Sequence, residues 1–333
     1  MYELLGISLA LTGLLTLNAF ASSLAAMLWR VLQMRAQSWP AVIRAQLLFA
    51  LRVFPGAVAI ICVMTLFVPA YIAHEPRHAA EDVSLQLALL ATVSAAGLSL
   101  AVWRGVAAWM ATRKLISAWL RNSTPLALEQ VSIPAYRLRH PFPVIAVVGT
   151  FRPRLFIADH LFASLSREEM AAAIAHECGH LAARDNLKRA LLRSCRDVLT
   201  IVPCGRLLDR EWAAASEAAA DEYAARNGGE VALDLAAALV KIARLVPSGA
   251  RPVMPASALL IGEDVSGIAY RVKLLAGLAT GERLRQEMMP SAIPASLWFS
   301  FGALLATALL IAMNSHSLFT IHRLLEVLVS TLQ

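Results

Sequence analysis

The chain has 333 residues, of which 58% are hydrophobic and 16% charged, with a formal net charge of +7. Soluble domains lie nearer half apolar and a quarter charged, so the composition excludes an ordinary soluble protein and a disordered one. The basic excess contains no Lys/Arg-rich block of the kind that binds nucleic acid; it reads as charge flanking membrane spans, with no direct nucleic-acid partner. Leu4 to Trp29, Val53 to Ala73 and Val83 to Trp103 carry no charged residue. A fourth uncharged run extends from Met288 to Ser315, with its apolar core after Pro294. Each reaches the roughly 20 residues needed to cross a 30 Å hydrocarbon layer. Met1-Tyr2-Glu3 has no basic residue and the run behind it is too long for a signal peptide, so the first span reads as a retained anchor.

The loops set the expected orientation. Arg30, Arg35, Arg44 and Arg52 follow the first span, and Arg104, Arg113, Lys114 and Arg121 follow the third. The loop between the second and third spans holds Glu75, Glu81 and Asp82 and is acidic on balance. The positive-inside rule puts the first loop and the segment after the third span in the cytoplasm. The expected division is three spans within 1–112, a cytoplasmic domain at 113–287, a fourth span at 288–315 and a short extracytoplasmic tail at 316–333. The tail's apolar spacing suits an interfacial amphipathic helix. Cys62, Cys178, Cys195 and Cys204 form no C-x-x-C pair, and free thiols suit a reducing compartment.

Within the polar segment, Pro125, Pro134, Pro141 and Pro143 mark 122–143 as a linker with short extended pieces. Val144 to Val148 and Arg154 to Ala158 flank a Gly/Pro turn and read as a hairpin. Ser166 followed by Glu169 is a capping box, so a helix should run from there to about Arg184. Further helices are expected over 186–200, 207–226 and 231–246, with a loop at 247–255.

The first of these helices contains His176-Glu177-Cys178-Gly179-His180, an H-E-x-x-H motif. Two histidines four apart share one helix face and can bind one zinc ion. Glu177 lies about 100° further round, beside the metal, where it can act as general base toward water. A catalytic zinc takes a third protein ligand and keeps one open position. Glu217 is the first choice, with Glu211, Glu222 and Asp185 as rivals. Asp221, one turn beyond Glu217, can hydrogen-bond a ligating histidine. Cys178 faces away from the histidine pair and reads as a packing residue; His140 and His160 flank the hairpin and read as polar surface residues.

Taken together, His176-Glu177-Cys178-Gly179-His180, then Asp185, then Glu217-x-x-x-Asp221 resemble the gluzincin-type integral membrane metallopeptidases. With four spans and the zinc domain between the third and fourth, the layout is similar to that of the BlaR/MecR antirepressor peptidases. Gly149 to Ile157 looks like that family's strand segment before the zinc helix, and 238–243 and 271–275 look like its later helices. The resemblance implies a mainly α membrane protein with an α+β zincin-like domain. It also implies one Zn²⁺ held by His176, His180 and Glu217, with Asp221 and Asp185 behind the ligands. A bacterial-type inner membrane, a cytoplasmic active site and limited proteolysis of a regulator such as a transcriptional repressor follow from the same resemblance. Only His316 to Gln333 follow the last span, and no S-x-x-K motif marks a penicillin-acylated serine, so β-lactam sensing does not carry over. An extended substrate is expected to pair with the strand edge at Val147, Val148 and Gly149. The alternatives are a quality-control peptidase of the HtpX or CAAX-protease type, which shares both motifs, and a membrane scaffold with a structural zinc.

Overall fold

In the absence of water, a membrane-crossing chain must satisfy its backbone within itself, which favours long unbroken helices in the apolar runs. The computed structural model describes residues 2–76, 83–129, 131–195, 204–246, 265–280 and 302–331 apart from 304 and 308. Among these, three helices are long and apolar enough to cross a membrane: α1 (Tyr2–Ala36), α2 (Ala41–His74) and α3 (Leu85–Arg121). Pro55 lies inside α2, which also contains a π-helical turn at Val63–Phe67. Ser84 caps α3 by accepting from the Leu87 amide at 3.2 Å. Each helix outruns its uncharged stretch. The expected division between 112 and 113 falls inside α3, because its basic residues extend the helix instead of ending it. Most of the fourth span expected at 288–315, the loop expected at 247–255, and the end of the helix expected to reach Thr200 lie outside the described residues.

The expected linker at 122–143 supplies two short strands, β1 (Ser123–Leu126) and β2 (Ala135–Leu138). The expected hairpin is β3 (Ile145–Val148) and β4 (Arg154–Ala158), turned at Gly149 with φ 112°, a backbone conformation open to glycine. The sheet order is β1-β2-β4-β3. β2 and β4 are parallel and the other two pairs antiparallel, so β3 is an edge strand. One turn of helix, α4 (Leu161–Ser164), leads into α5 (Arg167–Ala182), then α6 (Asp185–Cys195), α7 (Cys204–Ala225), α8 (Gly229–Leu245) and α9 (Val265–Ala279). Phe156, Leu155 and Ile157 of the sheet share one core with Trp119 of α3 and Leu235, Leu239 and Ile242 of α8. Both halves of the capping box are formed at the start of α5, and Glu169 also takes a bond from Lys241 of α8 at 2.8 Å.

Two contacts tie this domain to α2. Arg52 of α2 pairs with Asp209 of α7 at 3.0 Å. Both carboxylate oxygens of Glu222 accept from the Ala41 amide, at 3.0 and 2.9 Å, and so cap the start of α2 from α7. A small apolar cluster of Trp29, Ala45, Leu48, Leu208 and Trp212 fills the joint. At the opposite end of α2, the tail forms α10 (Ser315–Thr331), with Phe319 edge-on to His74 at 5.5 Å.

Candidate metal centre

Gly179 explains how a helix distant in sequence reaches the H-E-x-x-H face. A Cβ at position 179 would lie 3.0 Å from the Ala220 Cα and 3.1 Å from the Tyr223 Cβ. Absence of a side chain lets α5 and α7 approach closely, and that approach carries Glu217 to the histidines. His176 Nε2 is 3.5 Å from Glu217 Oε2, and His180 Nε2 is 3.5 Å from Glu217 Oε1. The ligating atoms of His176, His180 and Glu217 all lie within 4.8 Å of one another. Ligand atoms about 2 Å from a tetrahedral ion stand roughly 3.3 Å apart, so the spacing fits one zinc ion.

Each histidine is oriented from behind by its own carboxylate. His176 Nδ1 is 2.9 Å from Asp221 Oδ1, and His180 Nδ1 is 2.8 Å from Asp185 Oδ2. Donation from Nδ1–H leaves Nε2 as the atom turned toward Glu217, where a metal would bind it. Asp221 and Asp185 thus lie on the Nδ1 side of His176 and His180, away from Glu217. The rivals do not join the group: Glu222 caps α2, and Glu211 is exposed.

A residue not singled out in the sequence completes the surroundings. Arg271 of α9 donates twice to Asp221, at 2.9 and 2.7 Å, and approaches Glu217 Oε2 to 3.3 Å. It also lies 3.4 Å from His176 Nδ1. Arg189 of α6 donates to Glu217 Oε1 at 2.9 Å. Even so, Glu217 Oε2 is buried with no aligned hydrogen-bond donor, as expected of an atom reserved for a cation. Burial alone would raise the carboxyl of Glu217, but His180, His176 and Arg271 hold it well below the usual carboxylate range. Burial works against a charged His180, yet the Glu217 carboxylate and the Asp185 bond push its pKa up to about 9. Burial would raise the carboxyl of Asp221, but Arg271 and His176 together hold it low.

Glu177 is buried, and its Oε2 accepts from the Val147 amide at 2.9 Å. The Asn186 side chain donates to the carbonyls of Val147 and Gly149, at 2.9 and 3.1 Å. Val147 and Gly149 thus touch the site through side chains already bound to them. Val148 pairs inward with Arg154 of β4. The alternation of antiparallel bonds, with Ala158 donating to the Val144 carbonyl, turns the main-chain groups of Ile145 away from β4, and Ile145 itself is buried. Cys178 is a half-buried free thiol packed against the core, and burial raises its pKa. The His140 Nδ1 accepts from the Phe142 amide at 3.1 Å, a local turn contact.

No curated protein matches the chain, and no solved structure does. The family comparison does find a match: residues 146–246, from β3 to the end of α8, fit the model of peptidase family M48. That segment contains His176, His180 and Glu217, the group able to hold a metal, and its match implies a metallopeptidase domain in a chain with three membrane-compatible helices.

Proposed function

We propose that the chain is a membrane-embedded zinc metalloendopeptidase whose site faces the cytoplasm. The observation that carries this reading is the convergence of both Nε2 atoms and the Glu217 carboxylate, with each histidine fixed by its own aspartate. His176, His180 and Glu217 would hold the ion. Bound there, zinc supplies Lewis acidity toward a water and a peptide carbonyl. Glu177 accepts the proton of the attacking water and returns it to the leaving amine. The Val147 amide keeps the Glu177 carboxylate at the mouth of the site. An extended substrate would lie along β3 beside Val147, Val148 and Gly149. The cytoplasmic orientation is supported by Arg30, Arg35, Arg113 and Arg121, which lie at the same helix ends as the metal domain.

Limited proteolysis of a regulator, such as a repressor, is the role suggested by the antirepressor resemblance. The M48 match favours, as a second reading, broader clearance of membrane proteins. Purified wild-type protein should carry about one zinc per chain. Glu177→Gln should keep the zinc and lose cleavage, and Glu217→Ala should lose both. Wild-type cleavage by Glu177→Gln would refute the assigned base. Proteomic comparison of membranes with active and Glu177→Gln protein separates one soluble substrate from many membrane-bound ones.

A further inference from the structure

A cleft of about 740 Å³ opens between α3, the β3–β4 turn and α6. Trp109 and Ile116 of α3 and Leu187 of α6 give it an apolar floor. Arg113, Arg152, Arg154, Arg189 and Arg193 also line it, with no Asp or Glu among its lining residues. Arg189 is engaged by Glu217. Among the described residues no carboxylate pairs with Arg113, Arg152 or Arg154, and the Arg113 guanidinium rests over the Trp109 ring at 4.8 Å.

The cleft adjoins the metal site. Gly149 and Asn186 line it, and Asn186 is the residue that binds the Val147 and Gly149 carbonyls. Arg189 reaches from its wall to Glu217. Its far end closes where α3 crosses α6, for a Cβ at Gly105 would lie 2.9 Å from Ser194 Oγ. A polypeptide leaving the metal site past Gly149 and Asn186 therefore enters this cleft. Lipid headgroups are the other abundant anions near a membrane; the Gly105 end of the cleft lies within their reach, but Arg113 does not. Arg113 lies ten residues beyond Trp103, the last residue of the uncharged run, which is about 15 Å of helix. The headgroup layer is only about 5–8 Å thick on each side.

From this we infer that the cleft binds an acidic flank of an extended polypeptide substrate, within a few residues of the bond to be cut. The apolar floor takes the intervening side chains, and Arg113, Arg152 and Arg154 pair with the carboxylates. This rests on the peptidase reading, so the test separates binding from hydrolysis.

The probes are short apolar fluorescein-labelled peptides with a run of glutamates at either end, and matched peptides with glutamines. Binding is measured by anisotropy on the zinc-loaded, full-length Glu177→Gln protein in nanodiscs, and cleavage on the zinc-loaded wild type. One glutamate peptide should bind roughly tenfold tighter than its glutamine match at low salt, the sum expected of a few exposed pairs, and the preference should shrink as salt rises. Arg113→Gln, Arg152→Gln and Arg154→Gln combined should bring the ratio to about one, with zinc content unchanged as the check on folding. Equal binding of glutamate and glutamine peptides would overturn the inference, while cleavage of either leaves the peptidase reading intact. Arginine-dependent glutamate binding without any cleavage would keep the cleft and refute hydrolysis. If the arginine variant instead loses only affinity for anionic-lipid nanodiscs, the cleft is a headgroup site and the inference fails.

Discussion

Asp221→Asn is the sharpest test of how the metal centre is held. Asp221 is fully buried and takes three bonds, two from Arg271 at 2.9 and 2.7 Å and one from His176 at 2.9 Å. The substitution preserves volume and removes the charge. It leaves Arg271 buried without its main partner, and breaking such a pair costs about 3–5 kcal/mol. At about 2–4 °C per kcal/mol, the unfolding midpoint should fall by roughly 10 °C. Zinc affinity should fall about 10–100-fold, the usual loss when the group behind a ligating histidine is removed. Both electrostatic changes act in that direction, since a carboxylate near the ion disappears and a nearby guanidinium is no longer neutralised. Melting of the detergent-solubilised protein, together with zinc competition against a chromophoric chelator, reads both effects. In an Arg271→Leu background the stability cost of Asp221→Asn should drop sharply, because the unpaired guanidinium is absent. Wild-type zinc affinity in Asp221→Asn, or equal costs in both backgrounds, would refute the reasoning.

Three further outcomes are expected. Gly179→Ala puts a Cβ 3.0 Å from the α7 backbone, so it should cost about 1–3 kcal/mol and weaken zinc binding by spreading α5 from α7; both are read by melting and chelator competition. Glu169→Gln should destabilise by about 1 kcal/mol by weakening the α5 cap and the Lys241 pair. Glu169 has a folded pKa below its ordinary value, so its contribution is present above about pH 4.5 and is lost as pH falls, a trend that melting against pH should show only in the wild type. His180 has the opposite sign. Raised to about 9 without metal, it stabilises the metal-free fold fully below about pH 6.5 and loses that contribution as pH rises through 9. Zinc must displace its proton, so calorimetry at pH 7 in buffers of different ionisation enthalpy should show about one proton released per zinc; no proton release on zinc binding would refute the raised pKa.

Much of this centre is legible in the sequence because its geometry is local. His176, Glu177 and His180 lie within one and a third helical turns, and Ser166 with Glu169 marks where that helix begins. Glu217 and Asp221 share a face at a spacing of four, but nothing in the spacing tells which of several acids crosses to the histidines; the close approach at Gly179 does. Arg271 is harder to find, since it lies 95 residues from His176 and has no motif around it. Besides the resemblance of 271–275 to a later family helix, its signal is position: Arg271, Leu275 and Leu278 recur at helical spacing and are buried together, so a charge stands on an apolar face and requires a partner. The strands β1 and β2 are hidden for another reason. Four residues each, with Pro125 inside one, they are too short to show alternation, and their pairing is decided by the sheet.

The cap that Glu222 places on α2 has a mechanical consequence. Hydrogen bonds of 3.0 and 2.9 Å leave little slack, and the rise of a single helical residue, about 1.5 Å, is enough to break them. The first residue of α2 and the carboxylate five positions after Glu217 therefore move as one piece. A bilayer too thick or too thin for α2 pulls on that piece, because a span relieves mismatch by tilting or shifting along its axis. In a bilayer, a shift of α2 along its axis would therefore be felt in α7, the helix that carries Glu217.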